Sequence, residues 1–159
     1  MKRAALILVL SALAAVFSIS ASAAAPKTAS LQIKHVVRGC HSWSLNGGAL
    51  RVNQIVKLAS GDSLLVTNND LMVQDLMQTS GPAVTMKLVR RSHMGKMHMT
   101  MPMEGKPSPH ALSHMGAQVK LTFSKPGRYH FNLIDRGDYF DNIKTVGPDH
   151  HPTLTVTVS

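Results

Sequence analysis

Short runs of alternating apolar and polar residues constrain this chain more than any other feature. Residues 31–37 place Leu31, Ile33, His35 and Val37 on one side. Residues 84–89 do the same with Val84, Met86 and Leu88, residues 118–123 with Val119, Leu121 and Phe123, residues 128–134 with Tyr129, Phe131 and Leu133, and residues 153–158 with Leu154, Val156 and Val158. Residues 63–68 form a brief apolar run after Gly61-Asp62, and residues 51–58 alternate imperfectly, which points to a bulge. A period of two is the signature of half-buried strands. No helical stripe follows the N-terminal apolar segment. Turn residues punctuate the runs: Asn46-Gly47-Gly48, Asn68-Asn69-Asp70 and Lys125-Pro126-Gly127. In the last, Pro suits the first central residue of a type II turn and Gly the positive φ of the second. The spacing predicts an all-β fold, a two-sheet Greek-key β-sandwich.

The N-terminus reads as a signal peptide. Lys2 and Arg3 precede an apolar run over residues 4–17, and small residues follow to Ala23. The run is shorter than the roughly 20 residues of a membrane-spanning helix, and no cysteine follows for a lipid anchor. Cleavage after Ala23 is expected, with residues 24–30 a flexible leader and residues 31–159 one domain. That domain is exported, to the periplasm or beyond, without a stable membrane anchor. Loss of Lys2 and Arg3 leaves 15 basic and 8 acidic residues, a net charge of +7. Apart from Lys87, Arg90 and Arg91 the basic residues are scattered, and with few aromatics this argues against nucleic-acid binding.

Residues 90–117 exceed a normal sandwich connection. The stretch HMGKMHMTMPM at 93–103 opens a segment with six methionines and four histidines: His93, Met94, Met97, His98, Met99, Met101, Met103, His110, His114 and Met115. Ser92-His93-Met94-Gly95 recurs as Ser113-His114-Met115-Gly116. Thioethers are soft ligands for Cu(I), and imidazole suits Cu(II). The competing explanation is a buried strand face of Met97, Met99, Met101 and Met103. Pro102, Gly95, Gly105, Pro107 and Pro109 oppose it.

Cys40 is the chain's one cysteine, so no internal disulfide forms. With His41 it makes a second candidate metal site, provided Gly39 bends the chain so that adjacent side chains converge. His114 or Met115 could complete it. Otherwise Cys40 is a small buried hydrophobe beside Trp43. His35 reads as a satisfied core histidine, and Asp149-His150-His151 as a solvated turn. Asp135, Asp138 and Asp141 lack the spacing of a calcium loop. No G-x-S-x-G elbow, H-E-x-x-H helix or phosphate loop is present, so no enzymatic activity is expected.

The segment from Lys125-Pro126-Gly127 through Tyr129 and Phe131 resembles the P-G-x-Y-x-F strand entry of the cupredoxins, the plastocyanin and amicyanin family. Residues 65–74 resemble that family's strand and N-x-D turn leading to its first copper histidine. Gly39 to Gly47, Gln78 to Pro82 and Thr145 to Asp149 are similar to a subgroup of secreted bacterial cupredoxin-like proteins. The resemblance covers residues 31–159 and implies a cupredoxin sandwich. Its blue-copper ligands are not carried over. Gln74 stands where the first histidine belongs, Leu133 near the ligand cysteine, and residues 134–144 contain no Cys, His or Met. A blue site needs two imidazoles and a thiolate.

These readings converge on an exported copper-binding protein, for capture, transfer or resistance, handling Cu(I) and/or Cu(II) through the Met/His segment. A redox or copper-transfer protein is the expected partner. The alternatives are an electron carrier with a copper centre rebuilt on Cys40 and a metal-free binding module.

Overall fold

The alternating runs form strands that divide between two sheets. The computed structural model describes residues 25–91, 111–113, 115–136 and 151–159. Its strands are β1 (Thr28–Val36), β2 (Cys40–Leu45), β3 (Leu50–Arg51), β4 (Asn53–Leu58), β5 (Ser63–Asn69), β6 (Gln74–Ser80), β7 (Thr85–Arg90), β8 (Gln118–Thr122), β9 (Gly127–Asp135) and β10 (Thr153–Val158). One sheet runs β3-β2-β1-β5-β8-β7, the other β4-β10-β9-β6. The β1/β5 and β4/β10 pairs are parallel, so each sheet is mixed. No helix occurs among the described residues. The expected all-β, two-sheet sandwich is observed.

The inward residues of both sheets build one core. Leu31, Ile33, Trp43, Leu64, Val66, Val119 and Leu121 of the larger sheet meet Val56, Tyr129, Phe131, Leu133, Leu154 and Val156 of the smaller. Each such buried side chain stabilises the fold by about 1.5–3 kcal/mol relative to exposure. Phe123 packs edge-on against Tyr129 at 5.0 Å, and the Tyr129 hydroxyl donates to the Lys125 carbonyl at 2.7 Å.

Several expectations change in detail. Asn46 (φ 48) and Gly47 (φ 74) are both left-handed, and Gly48 N–H donates to Leu45 O at 2.8 Å. That is a type I′ turn, which matches the twist of the β2/β3 pair it connects. Residues 51–58 carry no simple bulge. The chain leaves the larger sheet after Arg51 and joins the smaller at Asn53. At Lys125-Pro126-Gly127 the chain bends, and Gly127 has φ 148 rather than the roughly +80° of a type II turn. A Cβ there would press on Pro82. β1 begins at Thr28, inside the segment read as a leader, where Thr28, Ala29 and Ser30 pair with Ser63, Leu64 and Leu65.

Both margins of the long Met/His segment are tied into the sandwich. Arg90 lies opposite Gln118 in the β7/β8 pair. Leu112 is fully buried and forms a bridge with Gln74. Ala117 is likewise buried.

Candidate functional site

The chemistry gathers at one end of the sandwich, where the β1/β2 turn meets the β5/β6 connection. Gly39 (φ 78) and Cys40 (φ 60) are both left-handed. For a non-glycine residue this conformation is unfavourable by roughly 1–2 kcal/mol. It also breaks the alternation of the strand: Cys40 and His41 both face the β5/β6 connection. Cys40 Sγ lies 3.7 Å from Met72 Sδ, and His41 Nδ1 lies 2.6 Å from Asp70 Oδ2. All four side chains are buried. Cys40 is buried, as one of its two readings holds, and packs on Met72.

Asn68 shapes the connection opposite them. Its carboxamide nitrogen donates to Met72 O at 2.7 Å and to Leu112 O at 2.9 Å, and its Oδ1 accepts from Asp70 N–H at 2.8 Å. Two donors and one acceptor on a short side chain are what this junction requires, and asparagine supplies them. The same side chain pins Met72 to the point where the chain re-enters after the Met/His segment.

His41 is held between carboxylates from both sheets. Asp70 follows β5 and takes Nδ1, while Asp135, at the end of β9, lies 3.7 Å from Nε2. Burial pulls the imidazole pKa down, but contacts with Asp135 and Asp70 favour the charged form by more. The pKa is pushed up to about 9. His41 is therefore an imidazolium at neutral pH, with no lone pair to give a metal. The Gln74 amide nitrogen is 3.4 Å from both ring nitrogens. The carboxamide nitrogen is thus set against the imidazolium ring, equally near both of its nitrogens. Gln74 Oε1 is buried without a hydrogen-bond partner among the described residues.

Two neighbours extend the cluster. His35 Nδ1 is 3.6 Å from Asp70 Oδ1, beyond hydrogen-bond range, and its ring meets His41 edge-on at 6.5 Å. It is part-exposed, not the satisfied core histidine of the sequence reading. Arg136 donates from Nε to Asp75 Oδ2 at 2.8 Å, which fixes the chain just after Asp135. Asp135 itself faces His41.

Of the candidate ligands, Cys40, His41 and Met115 lie among the described residues. Cys40 and His41 sit together in the buried cluster. Met115 is exposed, beside the Gly116 turn. His93, Met94, Met97, His98, Met99, Met101, Met103, His110 and His114 lie outside the described residues, as do Asp138, Asp141 and Asp149-His150. Leu133 and Gln74, which the cupredoxin resemblance aligns with that family's ligands, are both buried, Leu133 in the core. Among the described residues no group of three or more His, Cys, Asp or Glu is arranged to hold a metal ion. Methionine is not one of those four types. Asp70, Met72 and Asp135 escape a sequence reading. The turn Asn68-Asn69-Asp70 was the available signal for the first two, but a turn motif does not say which way its side chains point.

No family model matches the chain, and no curated protein matches it. Solved structures that match the chain include a cysteine protease inhibitor from Entamoeba histolytica, at 9% identity and TM-score 0.43, covering 86% of this chain and 100% of that one. A multicopper oxidase from Pediococcus acidilactici matches at 12% identity and TM-score 0.33, covering 99% of this chain and 31% of the oxidase. Fet3p, a multicopper oxidase that functions in iron import, matches at 9% identity and TM-score 0.38, covering 98% and 38% respectively. These likenesses carry nothing about activity.

Proposed function

We propose that this chain is an exported, cupredoxin-like copper-binding protein, which captures copper through its Met/His segment and holds it for transfer or resistance. The observation that carries the reading is the Cys40/Met72 pair. A soft metal with bonds to sulfur of about 2.3 Å, in near-tetrahedral geometry, spaces two sulfurs about 3.8 Å apart. The observed separation is 3.7 Å. The pair is buried, and Asn68 binds both the Met72 and Leu112 carbonyls. Leu112, on the described side of the Met/His segment, is thereby tied to the same side chain as Met72. His41, charged and clamped, positions this site rather than ligating. The recipient is a copper-transfer or redox partner protein, and the protein itself performs no catalysis.

Titration of the mature protein with Cu(I) against a chromophoric chelator tests this. Cys40→Ser and Met72→Leu each weaken the tightest site by more than tenfold, since even outer-shell partners of a metal site are worth ten- to hundredfold. Unchanged affinity in both variants rules out the pair.

A further inference from the structure

Four of the basic residues gather on one face in the fold. Each acidic side chain of the described residues is engaged within the molecule. Asp62 accepts backbone N–H groups of Lys27 and Ala59, Asp70 and Asp135 face His41, and Asp75 pairs with Arg136. None lies on the outward face of the six-stranded sheet. There, Lys87 of β7 stands directly opposite Lys120 of β8, and Arg90 opposite Gln118. Lys34 of β1 lies on the same face, between Asn69 and Ser42. Like charges directly opposite across two strands are unfavourable, and no carboxylate of the described residues relieves this pair.

We infer that this face docks on a bilayer surface carrying anionic phospholipid. Charge complementarity is the first argument: four cations share one face. The second is shape. Six strands about 4.8 Å apart present a broad surface, suited to a plane of headgroups and not to a nucleic-acid groove. The third is the apolar fringe. Leu50 on edge strand β3 and Val89 on edge strand β7 are each about half exposed, at opposite margins of the sheet. Trp43, Phe123, Tyr129 and Phe131 are all buried, so no described aromatic is available to stack on bases. A reversible contact of this kind would hold the protein at the membrane without an anchor.

Sedimentation of the mature chain with phosphatidylcholine vesicles, with and without phosphatidylglycerol, tests the proposal. Binding requires phosphatidylglycerol and weakens with added salt. A lysine at an anionic surface contributes about fivefold in affinity, so the double variant Lys87→Gln/Lys120→Gln binds about 25-fold more weakly. Its urea midpoint is no lower than that of the parent, because a like-charge pair is removed. The matched variant Lys57→Gln/Arg128→Gln, on the outer face of the smaller sheet, loses no more than about twofold. Equal losses from the two double variants overturn the proposal, because net charge and not a face is then responsible. So does equal binding to both vesicle types. Tighter binding to a duplex oligonucleotide than to anionic vesicles, lost in the Lys87/Lys120 variant, assigns the face to nucleic acid instead.

Discussion

One proton on His41 joins the two sheets at the functional end. Its imidazolium sits between Asp70 beside the larger sheet and Asp135 of the smaller, and its pKa is raised from 6.5 to about 9. A group whose folded pKa is raised contributes stability that is fully present below the unfolded value. That contribution fades as pH climbs through the folded value. The window here is therefore pH 6.5 to 9. A shift of this size corresponds to roughly 3 kcal/mol. Urea unfolding of the metal-free protein at pH 6 and at pH 9.5 measures it: stability falls across this interval in the parent, and the fall is largely absent in His41→Gln. An equal decline in both places the alkaline loss elsewhere. Cys40 makes a separate prediction. Its left-handed backbone strains a side chain that glycine would not. Cys40→Gly therefore relieves the backbone while it removes the sulfur. It costs less stability than a fully buried side chain of that size would otherwise cost, and it abolishes the tight Cu(I) site.

Strands whose alternation is clean were legible before the fold was seen. β10 matches its run, and β5, β7, β8 and β9 differ from theirs only at the ends. β2 and β6 were not legible as strands. In β2, Ser42 and Ser44 are buried although they alternate with Trp43, so polarity did not mark the outer face. In β6, Gln74 and Asp75 are buried by the polar cluster, leaving Leu76 as the one buried hydrophobe of the strand. Both strands carry the candidate site, and both hide for the same reason: most of their buried positions hold polar residues or the small thiol of Cys40. Cys40 and His41 were legible as candidates; Met72, Asp70 and Asp135 were not, because nothing local ties them to β2. The turn between β2 and β3 was legible, and it yields a prediction. Asn46 has φ 48, and its Oδ1 accepts from Ser30 N–H at 2.8 Å. Asn46→Ala loses that bond and strains the backbone, at a cost of about 1–3 kcal/mol. Asn46→Gly keeps the conformation and costs less. Denaturant midpoints that rank the two the other way contradict the account.

For the whole molecule, fold and proposed capture separate at residues 91 and 111. The described residues on either side of the intervening segment are tied into the sandwich: Arg90 is held opposite Gln118, Leu112 is bonded to Gln74 in both directions, and Gly116 N–H reaches Asn68 O. Core residues come from strands on both sides of it. Loop length affects stability weakly, by about 0.6 kcal/mol per doubling. Replacing residues 92–110 with a Gly/Ser linker of equal length therefore leaves the unfolding midpoint nearly unchanged. Carrying the replacement through residue 115 does not, because it removes Leu112, whose truncation alone costs about 2–5 kcal/mol. The shorter replacement discriminates between capture and holding. It lowers the number of Cu(I) ions bound and slows loading, while the tight site at Cys40 and Met72 survives with its affinity intact. The Cys40→Ser variant shows the converse: many weak sites and no tight one. Were both changes to abolish copper binding altogether, the Met/His segment and the sulfur pair would be one site, and the transfer from one to the other would have no physical basis.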